Sequence, residues 1–205
     1  MIYADGAGVA IVEGVETTKK EGILAHKSRT LPYFEPETGL GSSAEPLTDC
    51  SQYLFNGPSN NPAYLPQRLF LKMRGPQVAQ VARTYVPEVI REVLDQADIQ
   101  LESVKMFLLH QANRQLDHDM ALDSGIREED LDTKVPMTIG YLGNSSVATI
   151  PTMLDLITRG ELENGSAQRY TLNPGDLVVF ASVGGSMHVN ALLYRVPQQS
   201  FEREF

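Results

Sequence analysis

The apolar run Val104 to Leu109 stops abruptly at His110-Gln111-Ala112-Asn113. A short apolar run bounded by polar residues reads as a buried strand. Asn113 is placed to cap a helix that runs to about Asp123 and closes at Gly125. A strand that ends in histidine and turns into a helix puts the imidazole at the carboxyl edge of a sheet. Open α/β sheets bind their ligands at that edge. The competing reading of such a histidine is a hydrogen-bonded structural residue.

Two further stretches bear on that choice. Gly143-Asn144-Ser145-Ser146 precedes the apolar run Thr149–Ile157, so Asn144 is either a helix cap or a ligand-facing amide. Gly184-Gly185 lies between two apolar runs. It either makes a tight turn or lets backbone N–H groups approach a ligand closely. Cys50, the sole cysteine, has neither a helix N-terminus nor a cation in its local sequence, so it does not read as a reactive thiol. One cysteine also excludes an internal disulfide and a multi-cysteine zinc site. His26, His118 and His188 are scattered at no metal-ligand spacing. His118 reads as solvated on a polar helix face, and His188 as alternating with buried neighbours.

These residues need a scaffold of ordinary soluble composition: 42% hydrophobic and 21% charged over 205 residues. No apolar run approaches the roughly 20 residues of a membrane span. The first residues are not a basic region followed by an apolar core, so the expected location is the cytoplasm, without a membrane partner. The net charge is −9 with no basic stripe, which sets nucleic acid aside.

Along the chain, Ile2-Tyr3-Ala4 and Val9-Ala10-Ile11-Val12 read as two strands about the turn Asp5-Gly6-Ala7-Gly8, as though the chain began inside a fold. Gly22–His26 is a strand. Residues 29–66 are rich in Pro, Gly, Ser and Asn and read as a long loop able to shape a binding site. Arg68–Met73 is a short strand. Apolar residues at three- and four-residue steps predict a helix from about Pro76 to Ala97, kinked or broken at Pro87. Lys134–Met137 reads as a short strand, and residues 149–157 as a buried helix with Pro151 in its first turn. Residues 161–173 read as loop. Leu177–Ala181 and His188–Arg195 read as an antiparallel pair of strands, and residues 198–205 as a loose tail. Alternating strands and helices predict an α/β layered sheet.

Taken in order, His110-Gln-Ala-Asn113, Gly143-Asn144-Ser-Ser with Ile150-Pro151, and Pro174-Gly175-Asp176 with Gly184-Gly185 resemble the C-terminal part of the beta-ketoacyl-[acyl-carrier-protein] synthase III family, of thiolase fold. Asp5-Gly6-Ala7-Gly8 resembles the turn where that family's N-terminal half ends. The resemblance implies residues 1–18 as the end of an N-terminal thiolase-like half and 19–205 as the C-terminal half, with 29–66 inserted. The C-terminal half would carry a mixed five-stranded sheet flanked by helices.

The implied chemistry is a decarboxylative Claisen condensation of an acyl thioester with a malonyl thioester, in fatty-acid or polyketide synthesis. His110 and Asn144 would donate to the thioester oxyanion. Gly184, with Gly185 beside it, would hold the acyl-cysteine carbonyl. Ala112 and Asn113 would line the pantetheine arm. Acyl-CoA and the malonyl thioester are substrates, and no cofactor or metal is implied. An acyl carrier protein would dock through Arg114 or Arg83, since the motif position that is often basic in the family holds Gln115. Val183 stands where the family often carries glycine. A homodimer is implied.

The family's nucleophilic cysteine lies upstream of Met1, and Cys50 does not match it. The chain by itself is therefore expected to be inactive, its partner being a missing N-terminal half or a chain that carries the cysteine. Alternatives are an acyltransferase of the same fold and a non-catalytic partner subunit.

Overall fold

The structure is a computed structural model that describes residues 4–30, 48–49, 72–73, 75–184 and 188–198. Its centre is a four-stranded mixed sheet. The strands are β1 (Gly22–Thr30), β4 (Met106–Leu109), β5 (Leu177–Gly184) and β6 (His188–Arg195), in spatial order β1-β6-β5-β4. β4 and β5 run parallel, while β5–β6 and β6–β1 are antiparallel. Two-residue strands β2 (Thr48–Asp49) and β3 (Lys72–Met73) pair with each other in a separate ribbon. Among the described residues the main sheet thus has four strands rather than the expected five, and of the expected strand at 68–73, residues 72–73 pair with β2 instead. The rest of that expected strand, 68–71, lies outside the described residues, as do Ile2, Tyr3, Cys50, Gly185 and most of 29–66. Arg29 and Thr30, the first residues of the expected loop, instead finish β1.

The alternation of side chains along the strands builds two cores. Phe107 and Leu109 of β4, Val179 and Ala181 of β5, and Ala191 and Leu193 of β6 point to one face. They pack against helices α1 (Gly75–Ala97) and α2 (Arg114–Asp123). Met106 and Leu108 point to the other face and pack with Val178 and with Met153 and Ile157 of α5 (Thr149–Thr158). Burying both faces explains why β4 is apolar at every position rather than at alternate ones. A partly buried ion-pair set joins β1 to α1: Arg29 to Glu88 at 2.6 Å and to Glu92, and Lys27 to Glu92 at 3.0 Å.

Three local expectations fail for reasons of tertiary context. First, of the kink or break expected at Pro87, the break does not occur: α1 runs from Gly75 to Ala97. Proline leaves one carbonyl without its amide partner. The Ala82, Val86, Val89, Ile90 and Val93 stripe, all buried, holds the helix to the sheet regardless. Second, Lys134–Met137 is no strand. Short helices α3 (Leu131–Lys134) and α4 (Ile139–Leu142) flank this stretch, and the Val135 N–H closes α3 onto Leu131 at 2.9 Å. Third, Val9–Val12 form no strand: they find no neighbouring ladder among the described residues. They lie across the second face of the sheet, bounding an apolar cavity of about 530 Å³ together with Phe180, Leu192 and Leu154. Val9 and Ile11 remain 89% and 95% exposed.

Among the described residues no helix is long and apolar enough to cross a membrane.

Candidate active site

His110 follows the last residue of β4, and its N–H bonds to the Ala181 carbonyl of β5 at 2.9 Å. The parallel ladder therefore carries the backbone of His110 to the carboxyl edge of the sheet, as its sequence context predicts. The chain then turns through Gln111 and Ala112 into α2. Asn113 caps that helix, its side-chain oxygen accepting from Leu116 N–H at 3.0 Å. Beyond Ser124, Gly125 adopts φ +93°, the left-handed conformation that ends the helix.

Asn144 reaches the same place from the other side. The single turn α4 ends at Gly143, whose φ of +70° directs the chain back over the sheet edge. A Cβ at Gly143 would lie 3.0 Å from that of Ala4. The Asp5–Gly8 stretch packs against this loop: Ala4 N–H donates to the Asn144 carbonyl at 2.8 Å. A Cβ on Gly6 would stand only 2.6 Å from that of Ser145.

One residue ties the two side chains together. Ser146 adopts φ +56°, a left-handed conformation that costs a non-glycine residue of order 1–3 kcal/mol. Its N–H donates to Asn144 Oδ1 at 2.8 Å, and its carbonyl accepts from the Thr149 hydroxyl at 2.7 Å. The Thr149 hydroxyl also stands 3.4 Å from His110 Nδ1. With Oδ1 engaged, the Asn144 amide is oriented by its acceptor end. Its Nδ2 makes no hydrogen bond among the described residues. His110 is half-buried, and burial lowers its pKa against the opposing bond to Ser146. A histidine titrating below its usual ~6.5 is neutral at neutral pH. A neutral imidazole has one N–H; carried on Nε2, with Nδ1 facing the Thr149 hydroxyl, it pairs with the Asn144 NH₂ as two donors suited to a developing oxyanion.

Two supports of this site escape sequence reading. Gln111 is fully buried and bonds to residues on both sides of the site. Asp117, one turn into α2, is also fully buried and accepts from Ala112 N–H at 3.1 Å and from the Asn113 backbone. Its other oxygen, Oδ2, has no partner. A carboxylate in the first turn of a helix is visible in sequence as a partner for the dipole, but its burial is not.

Burial pushes the Asp117 pKa up to about 7, against two backbone N–H groups that pull it down. An unfolded aspartate titrates near ~3.9. Between these values the folded chain binds more protons, so this group's contribution is full below about pH 4 and is lost as pH rises through about 7. Urea-unfolding midpoints should fall between about pH 5 and pH 8. Asp117→Asn should flatten that slope; an unchanged slope would refute the assignment.

The remaining sequence candidates divide. Ala112 is half-buried in the turn after His110, and Gly184 is exposed at the end of β5, with nothing within 4 Å of a Cβ built on it. Arg83 is bound by two carboxylates, Asp123 at 2.7 Å and Asp119 at 3.3 Å. They line a cavity of about 630 Å³ between α1 and α2 with Asn113 and Gln115. Arg114 is exposed, makes no ion pair among the described residues, and extends a terminal nitrogen toward Gly140. His118 is half-buried rather than solvated, whereas His188 is exposed and meets Thr30 Oγ1 at 3.0 Å. Among the described residues no group of three His, Cys, Asp or Glu could hold a metal ion.

A mixed sheet with helices on both faces, and an imidazole and an amide linked through Thr149 and Ser146 near its carboxyl edge, defines a thiolase-like α/β half. Residues 94–196 match the family described as 3-oxoacyl-[acyl-carrier-protein (ACP)] synthase III C terminal, and the chain belongs to that family. The beta-ketoacyl-[acyl-carrier-protein] synthase III of Chelativorans sp. is 30% identical over 199 residues, covering 95% of this chain and 52% of the relative. That of Lactobacillus delbrueckii subsp. bulgaricus is 31% identical, covering 96% and 53%. The crystal structure of 3-oxoacyl-[acyl-carrier-protein] synthase III from Aquifex aeolicus superposes with a TM-score of 0.60 at 24% identity, over 88% of this chain and 46% of that one, a likeness of fold. The chain thus spans about half the length of the curated relatives it matches.

Proposed function

We propose that this chain supplies the oxyanion-binding half of a condensing enzyme that joins an acyl thioester to a malonyl thioester with loss of carbon dioxide. The observation that carries the reading is Ser146, whose N–H holds the Asn144 amide and whose carbonyl holds the Thr149 hydroxyl that faces His110. Loss of carbon dioxide leaves an enolate with its charge on the thioester oxygen. Donors fixed before the reaction stabilise such an oxygen without reorganisation. His110 and Asn144 are the donors in this reading. The acyl-cysteine carbonyl is held near Gly184–Gly185, and the pantetheine arm runs past Ala112 and Asn113.

The nucleophile is a cysteine on the other half of the enzyme, whether continuous with this chain or a separate partner. Acyl-CoA primes it. A carrier protein brings the malonyl group and docks on Arg114 rather than Arg83, whose charge Asp119 and Asp123 already engage. The Val9–Val12 cavity and the exposed side chains around it are surface that the other half covers.

Product analysis tests the reading. This chain, together with the half that carries the cysteine, is supplied with acyl-CoA and a malonyl thioester. A β-ketoacyl product with one carbon dioxide per turnover is expected. An ester or amide without carbon dioxide release would replace condensation with simple acyl transfer. Acyl-enzyme formation by the isolated chain would overturn the assignment of the nucleophile.

A further inference from the structure

Gln111 stands beside the site with its whole hydrogen-bonding capacity engaged in spanning it. Its side chain is fully buried. Nε2 donates to the Leu109 carbonyl at 3.2 Å and, at a long 3.5 Å, to the Pro136 carbonyl. Oε1 accepts from Thr138 N–H at 2.9 Å and Ile139 N–H at 3.2 Å. Leu109 is the last residue of β4, directly before His110. Ile139 opens α4, the single turn that ends at Gly143 and delivers Asn144. The Gln111 amide therefore caps α4 from outside, taking two N–H groups that a helix start leaves without partners. The two segments it joins are 27 residues apart in sequence.

A second bridge joins the same segments at their far end, where the Thr149 hydroxyl, bound to the Ser146 carbonyl, stands 3.4 Å from His110 Nδ1. Two bridges close a ring of structure: His110, Gln111, α4, Gly143, Asn144, Ser146, Thr149 and back to His110. Within a closed ring neither donor can shift without the other. A buried apolar side chain of the same size would fill the space. Only an amide offers donors to one segment and acceptors to the other in a fixed direction.

We propose that Gln111 is a positioning residue that sets the separation of the His110 and Asn144 donors. The proposal rests on the reading of those two side chains as the oxyanion donors. Gln111→Met keeps the shape of the side chain and removes all four bonds. In the active assembly it should lower the rate constant for malonyl-thioester decarboxylation by about 10²-fold, the cost typical of a misplaced constellation, with KM little changed.

With this chain isotope-labelled in that assembly, the His110 ring titration and the Asn144 side-chain amide signals should move together. A purely structural role would lower the melting temperature and leave both signals where they were; that result overturns the proposal. If Gln111→Met does not fold, Gln111→Glu is read instead. It keeps the acceptor for Thr138 and Ile139 and loses the donor to Leu109, which opens the bridge at one end, so the His110 and Asn144 signals should again move together. Signals unmoved at both sites again overturn the bridge.

In the unsubstituted protein the Thr138 and Ile139 amides should exchange with solvent as slowly as those of β4. Exchange at the rate of an open loop counts against the bridge even if neither variant folds. Decarboxylation undiminished in His110→Ala, with the coupled signals still present, would remove the functional reading and leave the bridge standing.

Discussion

Replacing His110 with alanine, in the assembly that carries the cysteine, is expected to slow malonyl-thioester decarboxylation by about 10²–10³-fold, as is replacing Asn144. The size follows from what each side chain does in the proposed reaction. The enolate oxygen carries charge that the ground-state carbonyl does not, so a donor aimed at it lowers the barrier without tightening substrate binding equally. The effect should therefore fall on kcat more than on KM. Because Ser146 binds Asn144 and is linked to His110 through Thr149, the two losses should not add: His110→Ala/Asn144→Ala should be less impaired than the product of the single effects. Asn144→Asp is a sharper probe. It keeps the oxygen that Ser146 N–H binds and turns the donor end into an acceptor, so it should be at least as damaging as alanine. Single variants within about twofold of the unsubstituted rate would remove these residues from the chemistry.

The largest effect on stability is expected at Leu109. Its side chain is fully buried between the sheet and the α1–α2 layer, and its backbone carries His110 and accepts the Gln111 amide. Leu109→Ala removes that buried side chain and leaves a cavity in a close-packed layer. Such truncations cost about 2–5 kcal/mol. Against the roughly 5–15 kcal/mol that holds a typical domain folded, a loss of that size is severe. Urea unfolding should show a lower midpoint at unchanged slope. Leu109→Met, which nearly conserves volume, should cost less than about 1.5 kcal/mol. A Leu109→Ala loss below about 1 kcal/mol would mean that the layer relaxes around the void, contrary to its tight packing. Loss at this position should also disturb the site, since the floor under His110 is the strand that Leu109 ends.

How much of this was legible in the amino-acid order depends on how local each cause is. The β4 run, the Asn113 cap, the left-handed Gly125 and the His110 position all follow from contacts within a few residues or from burial on a regular period. Periodicity reports which side chains are covered, and it identified the α1 stripe correctly. It could not say that packing of that stripe outweighs the amide missing at Pro87. Nor could it distinguish a strand from an extended cover at Val9–Val12, because both place apolar residues in an extended chain and only a neighbouring ladder separates them.

The sequence by itself determined the layered α/β class and the family, and it singled out the two side chains on which the proposed site is built. It did so because a strand, a cap and a motif are each written in adjacent residues. Only the tertiary structure decided that Ser146 turns left-handed to hold Asn144 while Thr149 links its carbonyl to His110, and that Gln111 and Asp117 are buried beneath the turn they brace. Those bonds join residues up to 39 positions apart. A hydrogen bond depends on direction and distance in space, and a residue's type and its neighbours in the chain specify neither.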